Sequence, residues 1–170
     1  VVSFGELVST SIICAYLNHI GIAAEWIDAR SCIKTDNFYR SAHLDWKRTQ
    51  LAIQNQVQGK TLKITQGFIG SDDNNFTTTL GREGSDYSAA IFAYCLGATD
   101  VTIWKDVPGV LNADPRVFDK TQLLHHISYQ EAIELAFYGA SVIHPKTLQP
   151  LQRKEIPLFV KSFLNPTENG

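Results

Sequence analysis

The chain contains no methionine, only three cysteines and no long apolar run. Cys14, Cys32 and Cys95 lie far apart and form no C-x-x-C pair, which argues against a disulfide framework or a zinc site and favours a reducing compartment. No apolar stretch is long enough to cross a bilayer, and the first residues do not resemble a secretory signal. We therefore expect a cytoplasmic protein with no membrane partner.

A concentrated positive patch is also missing from the sequence. The formal net charge is -2, and the 15 Lys and Arg residues are dispersed among 17 Asp and Glu residues. Nucleic acids are bound through clustered positive charge, so the pattern predicts no nucleic-acid partner and favours a small molecule. With 170 residues and 44% hydrophobic content, the chain is long enough for one globular domain with a substantial core.

Helical and strand-like patterns alternate along the sequence. The predicted helices span residues 3–20, 44–57, 85–96, 128–139 and 145–153, and the predicted strands span residues 23–27, 61–69, 76–80, 101–104 and 157–161. This alternation indicates an α/β fold with a mainly parallel sheet and helices on both faces. Ligands bind beyond the carboxyl ends of such strands, which makes the loops after residues 80 and 104 the candidate sites.

The loop after residue 80 has the composition of an anion site. Gly81 and Gly84 permit positive φ angles and close approach of another group, and Ser85 is a good N-cap for the following helix. A helix N-terminus attracts anions, and the guanidinium of Arg82 can grip a carboxylate through two hydrogen bonds. Asp86 could orient a catalytic cation or simply complement the helix dipole. An ordinary strand-to-helix joint with a solvated Arg82 remains the alternative.

Two further segments can each be interpreted either as a binding site or as an ordinary structural element. Glu6 could bind a substrate ammonium group, or it could be the third helical residue of a capping box begun by Ser3. Asp106 follows a strand and precedes a Pro-Gly turn, and Arg116 lies further along the same loop. This segment could bind a nucleotide or could be an ordinary turn. No set of residues has metal-ligand spacing, so we expect no protein metal site.

Six segments in the same order resemble the catalytic domain of aspartokinases, in the amino acid kinase superfamily. They are residues 3–10, 65–70, 77–90, 103–116, 128–140 and 143–147. The resemblance implies a three-layer αβα sandwich in which residues 1–170 form one partial catalytic domain, cut at both ends. It also implies transfer of the γ-phosphoryl group of Mg-ATP to the side-chain carboxylate of L-aspartate, which begins lysine, threonine and methionine biosynthesis.

The resemblance implies a role for each matching residue of an aspartate site. Glu6 would bind the substrate amino group, and Arg82 would clamp a substrate carboxylate. Gly84 and Ser85 would add main-chain donors, and Phe68 would line the pocket.

The resemblance also implies a nucleotide site. Lys105 and Asp106 would contact the nucleotide after their strand, Arg116 would lie near phosphate, and Ser141 with Val142 would form a second ATP segment. Mg²⁺ would be held mainly by ATP oxygens and water.

The implied catalytic residues are Asp86, which would position catalytic lysines, and Arg82. The family's N-terminal Lys-Phe-Gly-Gly-Thr-Ser segment is absent, so we expect this piece of a longer polypeptide to be inactive alone. The family often has lysine where Ser141 stands and threonine where Lys105 stands. Glu83 replaces a small residue, and its charge should weaken anion binding unless it points to solvent.

Two other functions stay open at this point. One is a different amino acid kinase, acting on glutamate or uridylate, and the other is a non-catalytic amino-acid-binding domain. The resemblance further implies a homo-oligomer for the full-length protein.

Overall fold

The computed structural model describes residues 2–114, 117–137 and 142–170, which form two compact units, residues 1–96 and residues 97–170. The first unit contains α1 (Val2–His19), β1 (Ala24–Ile27), α2 (Ala29–Cys32), α3 (Trp46–Gln56), β2 (Leu62–Thr65), β3 (Ile69–Ser71), β4 (Thr77–Thr79) and α4 (Gly84–Leu96). The second contains β5 (Val101–Lys105), α5 (Tyr129–Phe137), α6 (Pro145–Arg153) and β6 (Leu158–Ser162). None of these helices combines the length and the apolar character needed to span a membrane.

Strand pairing confirms the α/β class with mainly parallel strands. β1 pairs parallel to β2, and β5 pairs parallel to β6, whereas β3 and β4 pair antiparallel across a short connection. In the first unit β3 and β4 lead directly to α4, so the start of that helix is fixed by the strand pair.

The core of the first unit lies around α3 and α4. Its buried members are Ile27, Cys32, Ile33, Ile53, Leu80, Tyr87, Ile91 and Cys95. Burying each aliphatic side chain of this size contributes about 1.5–3 kcal/mol, so the packing holds α4 firmly. The edge-on contact of Trp46 with Tyr94, at 5.0 Å between ring centroids, joins the two helices further.

The single strand predicted over residues 61–69 is wrong, because β2 ends at Thr65 and β3 starts at Ile69. Phe68 has a φ of 71°, and the Ile69 amide donates to the Gly67 carbonyl at 2.9 Å. Together these close a tight turn between the strands. The alternating side chains favour one strand, and Gly67 is the only residue there that indicates an interruption.

Of the three helix N-caps predicted from the sequence, one is confirmed and two are wrong. The Glu131 carboxylate accepts the Ser128 amide at 2.7 Å, and the Ser128 hydroxyl accepts the Glu131 amide, which confirms the capping box before α5. The Ser3–Glu6 capping box is wrong, because α1 already includes residue 3. Ser85 is not an N-cap either, because α4 begins one residue earlier, at Gly84.

The second unit contains a partly open, mainly apolar cavity of about 310 Å³ between α5, α6 and β6. Its lining includes Leu124, Tyr129, Leu148 and Val160. The Tyr129 hydroxyl donates to the Ile156 carbonyl, and burial raises the pKa of this phenol to about 12. The lining is therefore mainly apolar, but it also includes Ser128, His125, His126 and this neutral phenol.

Candidate active site

A four-residue turn connects β4 to α4. The Gly84 amide donates to the Gly81 carbonyl at 3.1 Å, and positive φ angles occur at Gly81 (80°) and at Glu83 (52°). A turn with positive φ at its third residue normally has glycine there, so Glu83 is in an unfavourable position. Gly81 uses the conformational freedom predicted for it, whereas Gly84 is helical.

Arg82 and Ser85 are the exposed residues of this turn and of the helix start that follows it. Within the described parts of the chain, the Arg82 guanidinium makes no hydrogen bond or ion pair. The Gly84 amide is already used inside the turn, which leaves Ser85 as the better main-chain donor for a ligand. An anion could therefore approach the N-terminus of α4 between a planar cation and an exposed serine.

The 67–68 backbone packs against the first residues of α4. A Cβ added to Gly84 would lie 2.7 Å from Phe68 Cδ2, and one added to Gly67 would lie 2.9 Å from Ser85 Oγ. These contacts are close enough that only glycine fits at both positions. The structure thus brings Phe68, Gly84 and Ser85 together, three residues that the sequence analysis placed in one pocket.

Phe68 is held in a strained conformation by its backbone partners. Its amide donates to Ser88 Oγ at 2.9 Å, and its carbonyl accepts the Leu80 amide at 2.8 Å. A left-handed φ in a bulky residue costs on the order of 1–3 kcal/mol and persists only where surrounding contacts impose it. Such residues are concentrated at ligand sites, which supports a role for Phe68 in binding.

A buried hydrogen-bond network connects the Glu6 turn of α1 to the same segment. The Thr10 hydroxyl donates to the Glu6 carbonyl at 2.7 Å and accepts from Gln66 Nε2 at 2.8 Å and from Trp26 Nε1 at 3.0 Å. Gln66 is 1% exposed, and its Oε1 accepts the Ala29 amide at 2.8 Å. Neither Gln66 nor Thr10 is among the site residues expected from the sequence, although both lie in segments that carry the family resemblance.

Both acidic residues of the loop, Glu83 and Asp86, are half-buried. Asp86 lies in the first turn of α4, where a carboxylate complements the helix dipole. Glu83 has a buried Oε2 with no hydrogen-bond partner among the described residues. This carboxylate therefore does not extend freely into solvent, and its charge stays near the proposed anion site.

Replacing Glu83 by glycine is expected to stabilise the chain by about 1 kcal/mol, because the left-handed penalty of about 1–2 kcal/mol exceeds the entropy cost of glycine. Urea unfolding followed by circular dichroism measures the change. Glu83→Gln keeps the backbone strain and removes the charge, so it should give a smaller gain. An equal gain in both variants would show that charge, and not φ, governs the effect.

The nucleotide candidates lie in the second unit. Lys105 is the last residue of β5, and Asp106 follows it as an exposed residue. Val142 lines the apolar cavity, but Lys105 and Asp106 do not. Arg116 and Ser141 lie outside the described residues.

Among the residues that the structure describes, no three His, Cys, Asp or Glu side chains gather around a common point.

The model of the amino acid kinase family matches residues 1–162, and the chain belongs to this family. The chain is 42% identical to lysine-sensitive aspartokinase 3 of Escherichia coli over 99% of its length. It is 39% identical, over the same share, to the chloroplastic aspartokinase 3 of Arabidopsis thaliana. The chain spans 38% and 31% of the lengths of these two relatives, or about a third.

A solved structure gives the same likeness in three dimensions. The crystal structure of E. coli aspartokinase III in complex with aspartate and ADP superposes with a TM-score of 0.93 at 42% identity. The superposition covers 98% of this chain and 38% of the other.

Proposed function

We propose that this chain forms part of an aspartate kinase, which transfers the γ-phosphoryl group of ATP to the side-chain carboxylate of L-aspartate. The observation that carries the proposal is the turn between β4 and α4, where an exposed Arg82 precedes a helix start packed against the strained Phe68. Two comparisons support it. The chain is similar to an aspartokinase over 99% of its length, and it superposes on an aspartokinase structure that contains aspartate and ADP.

In this proposal the first unit binds aspartate. Arg82 pairs with a substrate carboxylate through two parallel hydrogen bonds, and the Ser85 amide and hydroxyl donate to the same group. Gly84 leaves room for the Phe68 ring, which forms an apolar wall. Glu6 binds the substrate ammonium group, and the buried network through Thr10 and Gln66 keeps its helical turn in place.

The second unit contributes to nucleotide binding. Lys105 and Asp106, at the end of β5, and Val142 are the described residues assigned to it, together with Arg116 and Ser141. Asp86 positions cationic groups at the transferred phosphate. Phosphoryl transfer depends mainly on alignment and on charge neutralisation, so these residues need no nucleophile among them. Mg²⁺ held by ATP oxygens and water would supply further charge neutralisation at the transferred phosphate.

Further expectations follow from the proposal. The reaction would serve lysine and threonine biosynthesis, and the full-length gene product would be a cytoplasmic homo-oligomer. Size-exclusion chromatography with light scattering on that product measures the oligomeric state, and a monomer would contradict it.

The function is tested by trapping the acyl phosphate product with hydroxylamine. The full-length gene product is incubated with Mg-ATP and with aspartate or glutamate, and a coupled ADP assay is run with uridylate. A signal with aspartate alone supports the proposal, whereas a signal with another acceptor assigns a different kinase. Aspartate binding in calorimetry with no turnover would identify a non-catalytic binding domain.

Lys105→Thr is expected to lower the turnover number of the full-length gene product by about tenfold, because one positive charge near phosphate is lost. Lys105 would in this way supply the charge that the family often places at the position of Ser141. Steady-state kinetics with varied ATP measures the effect. The double variant Lys105→Thr with Ser141→Lys should recover most of the activity, and unchanged turnover in Lys105→Thr would refute the compensation.

A further inference from the structure

Ser88 lies one helical turn after Gly84 and is 2% exposed. Its hydroxyl donates to the Gly84 carbonyl at 2.9 Å and accepts the Phe68 amide at 2.9 Å. A serine within a helix commonly donates to the carbonyl four residues earlier, so the first bond is ordinary. The second bond is not local, because it joins α4 to the turn between β2 and β3.

The bond between the Phe68 amide and the Ser88 hydroxyl helps to set the shape of the turn between β2 and β3. Phe68 has a φ of 71°, and its ring lies against the position that a Gly84 side chain would occupy. The Ser88 hydroxyl therefore bonds to the backbone of both Phe68 and Gly84, which lie against each other. Without it, the Phe68 amide would lose its partner in a partly buried place, and the strained φ would lose one of its restraints.

We propose that Ser88 is a positioning residue for the aspartate subsite, which it shapes by fixing Phe68 against the start of α4. The inference rests on the proposed function for the identity of the ligand. Its structural part, the control of the Phe68 conformation by Ser88, is measurable without any ligand.

Three variants of the chain separate this role from a general effect on stability. Ser88→Ala removes the hydroxyl, and Ser88→Thr retains it. Ser11→Ala is the matched control, because Ser11 also donates to the carbonyl four residues earlier, at 2.8 Å, but lies on an exposed part of α1. Amide exchange by NMR is measured for every variant in this chain. The aspartate dissociation constant and KM are measured in the full-length gene product.

In Ser88→Ala, exchange of the Phe68 amide is expected to accelerate about tenfold, with a similar rise in KM for aspartate and little change in kcat. Ser11→Ala should resemble the parent, and Ser88→Thr, which keeps the hydroxyl, should exchange the Phe68 amide more slowly than Ser88→Ala even if its added methyl lowers stability. Unchanged exchange at Phe68 would overturn the inference, and so would equal acceleration throughout residues 2–96. If the parent binds no aspartate, the proposed function fails, and exchange at Phe68 alone still decides whether Ser88 fixes the turn.

Discussion

Arg82→Ala is expected to raise the KM for aspartate about 100-fold, because two charge-assisted hydrogen bonds of about 1.5 kcal/mol each are lost. Arg82 is exposed and has no partner within the described residues, so its removal breaks no contact of the fold. The melting temperature should therefore stay within about 2 °C of the parent value. In the full-length gene product, steady-state kinetics measures the KM for aspartate and thermal unfolding measures the melting temperature.

Two further variants make the Arg82 experiment specific. Arg82→Lys keeps the charge and loses the planar fork, so its KM should lie between those of the parent and Arg82→Ala. Arg153→Ala removes another exposed arginine, at the end of α6, and should leave KM unchanged. A parent-like KM in Arg82→Ala would show that the substrate carboxylate binds elsewhere.

Much of the fold could be predicted from the sequence because its signals are local. The Ser128 capping box needs residues only three positions apart, and Pro145 opens α6 as its fixed φ predicts. The joint between β4 and α4 was also visible, since its glycines, arginine and serine are consecutive. Short-range patterns of this kind suffice to predict a candidate anion-binding loop at the end of a strand.

The interior of the candidate site could not be predicted in this way. Gln66 and Thr10 are 56 residues apart in the sequence, and Phe68 and Ser88 are 20 apart. A polar residue in an alternating strand pattern gives no sign of a partner on α1. The left-handed φ of Phe68 was hidden for the same reason, because it is imposed by contacts with residues distant in sequence.

Gly84→Ala is expected to destabilise the chain by about 1–3 kcal/mol and to weaken aspartate binding, because the added methyl group overpacks the site. The new Cβ would lie 2.7 Å from Phe68 Cδ2 and 3.2 Å from both Phe68 Cα and Leu80 Cβ. Phe68 cannot withdraw easily, since its amide and carbonyl are bound to Ser88 and Leu80. Urea unfolding of this chain measures the destabilisation, and calorimetry on the full-length gene product measures aspartate binding.

Gly5→Ala is the matched control for stability, because Gly5 is also helical and an added Cβ there meets no atom within 4 Å. Alanine favours a helix over glycine by about 1 kcal/mol, so this variant should be more stable than the parent. The same propensity acts at position 84, where the steric contact must overcome it. If Gly84→Ala were instead as stable as the parent, the Phe68 turn would be able to shift, and the strained φ would not be imposed by the start of α4.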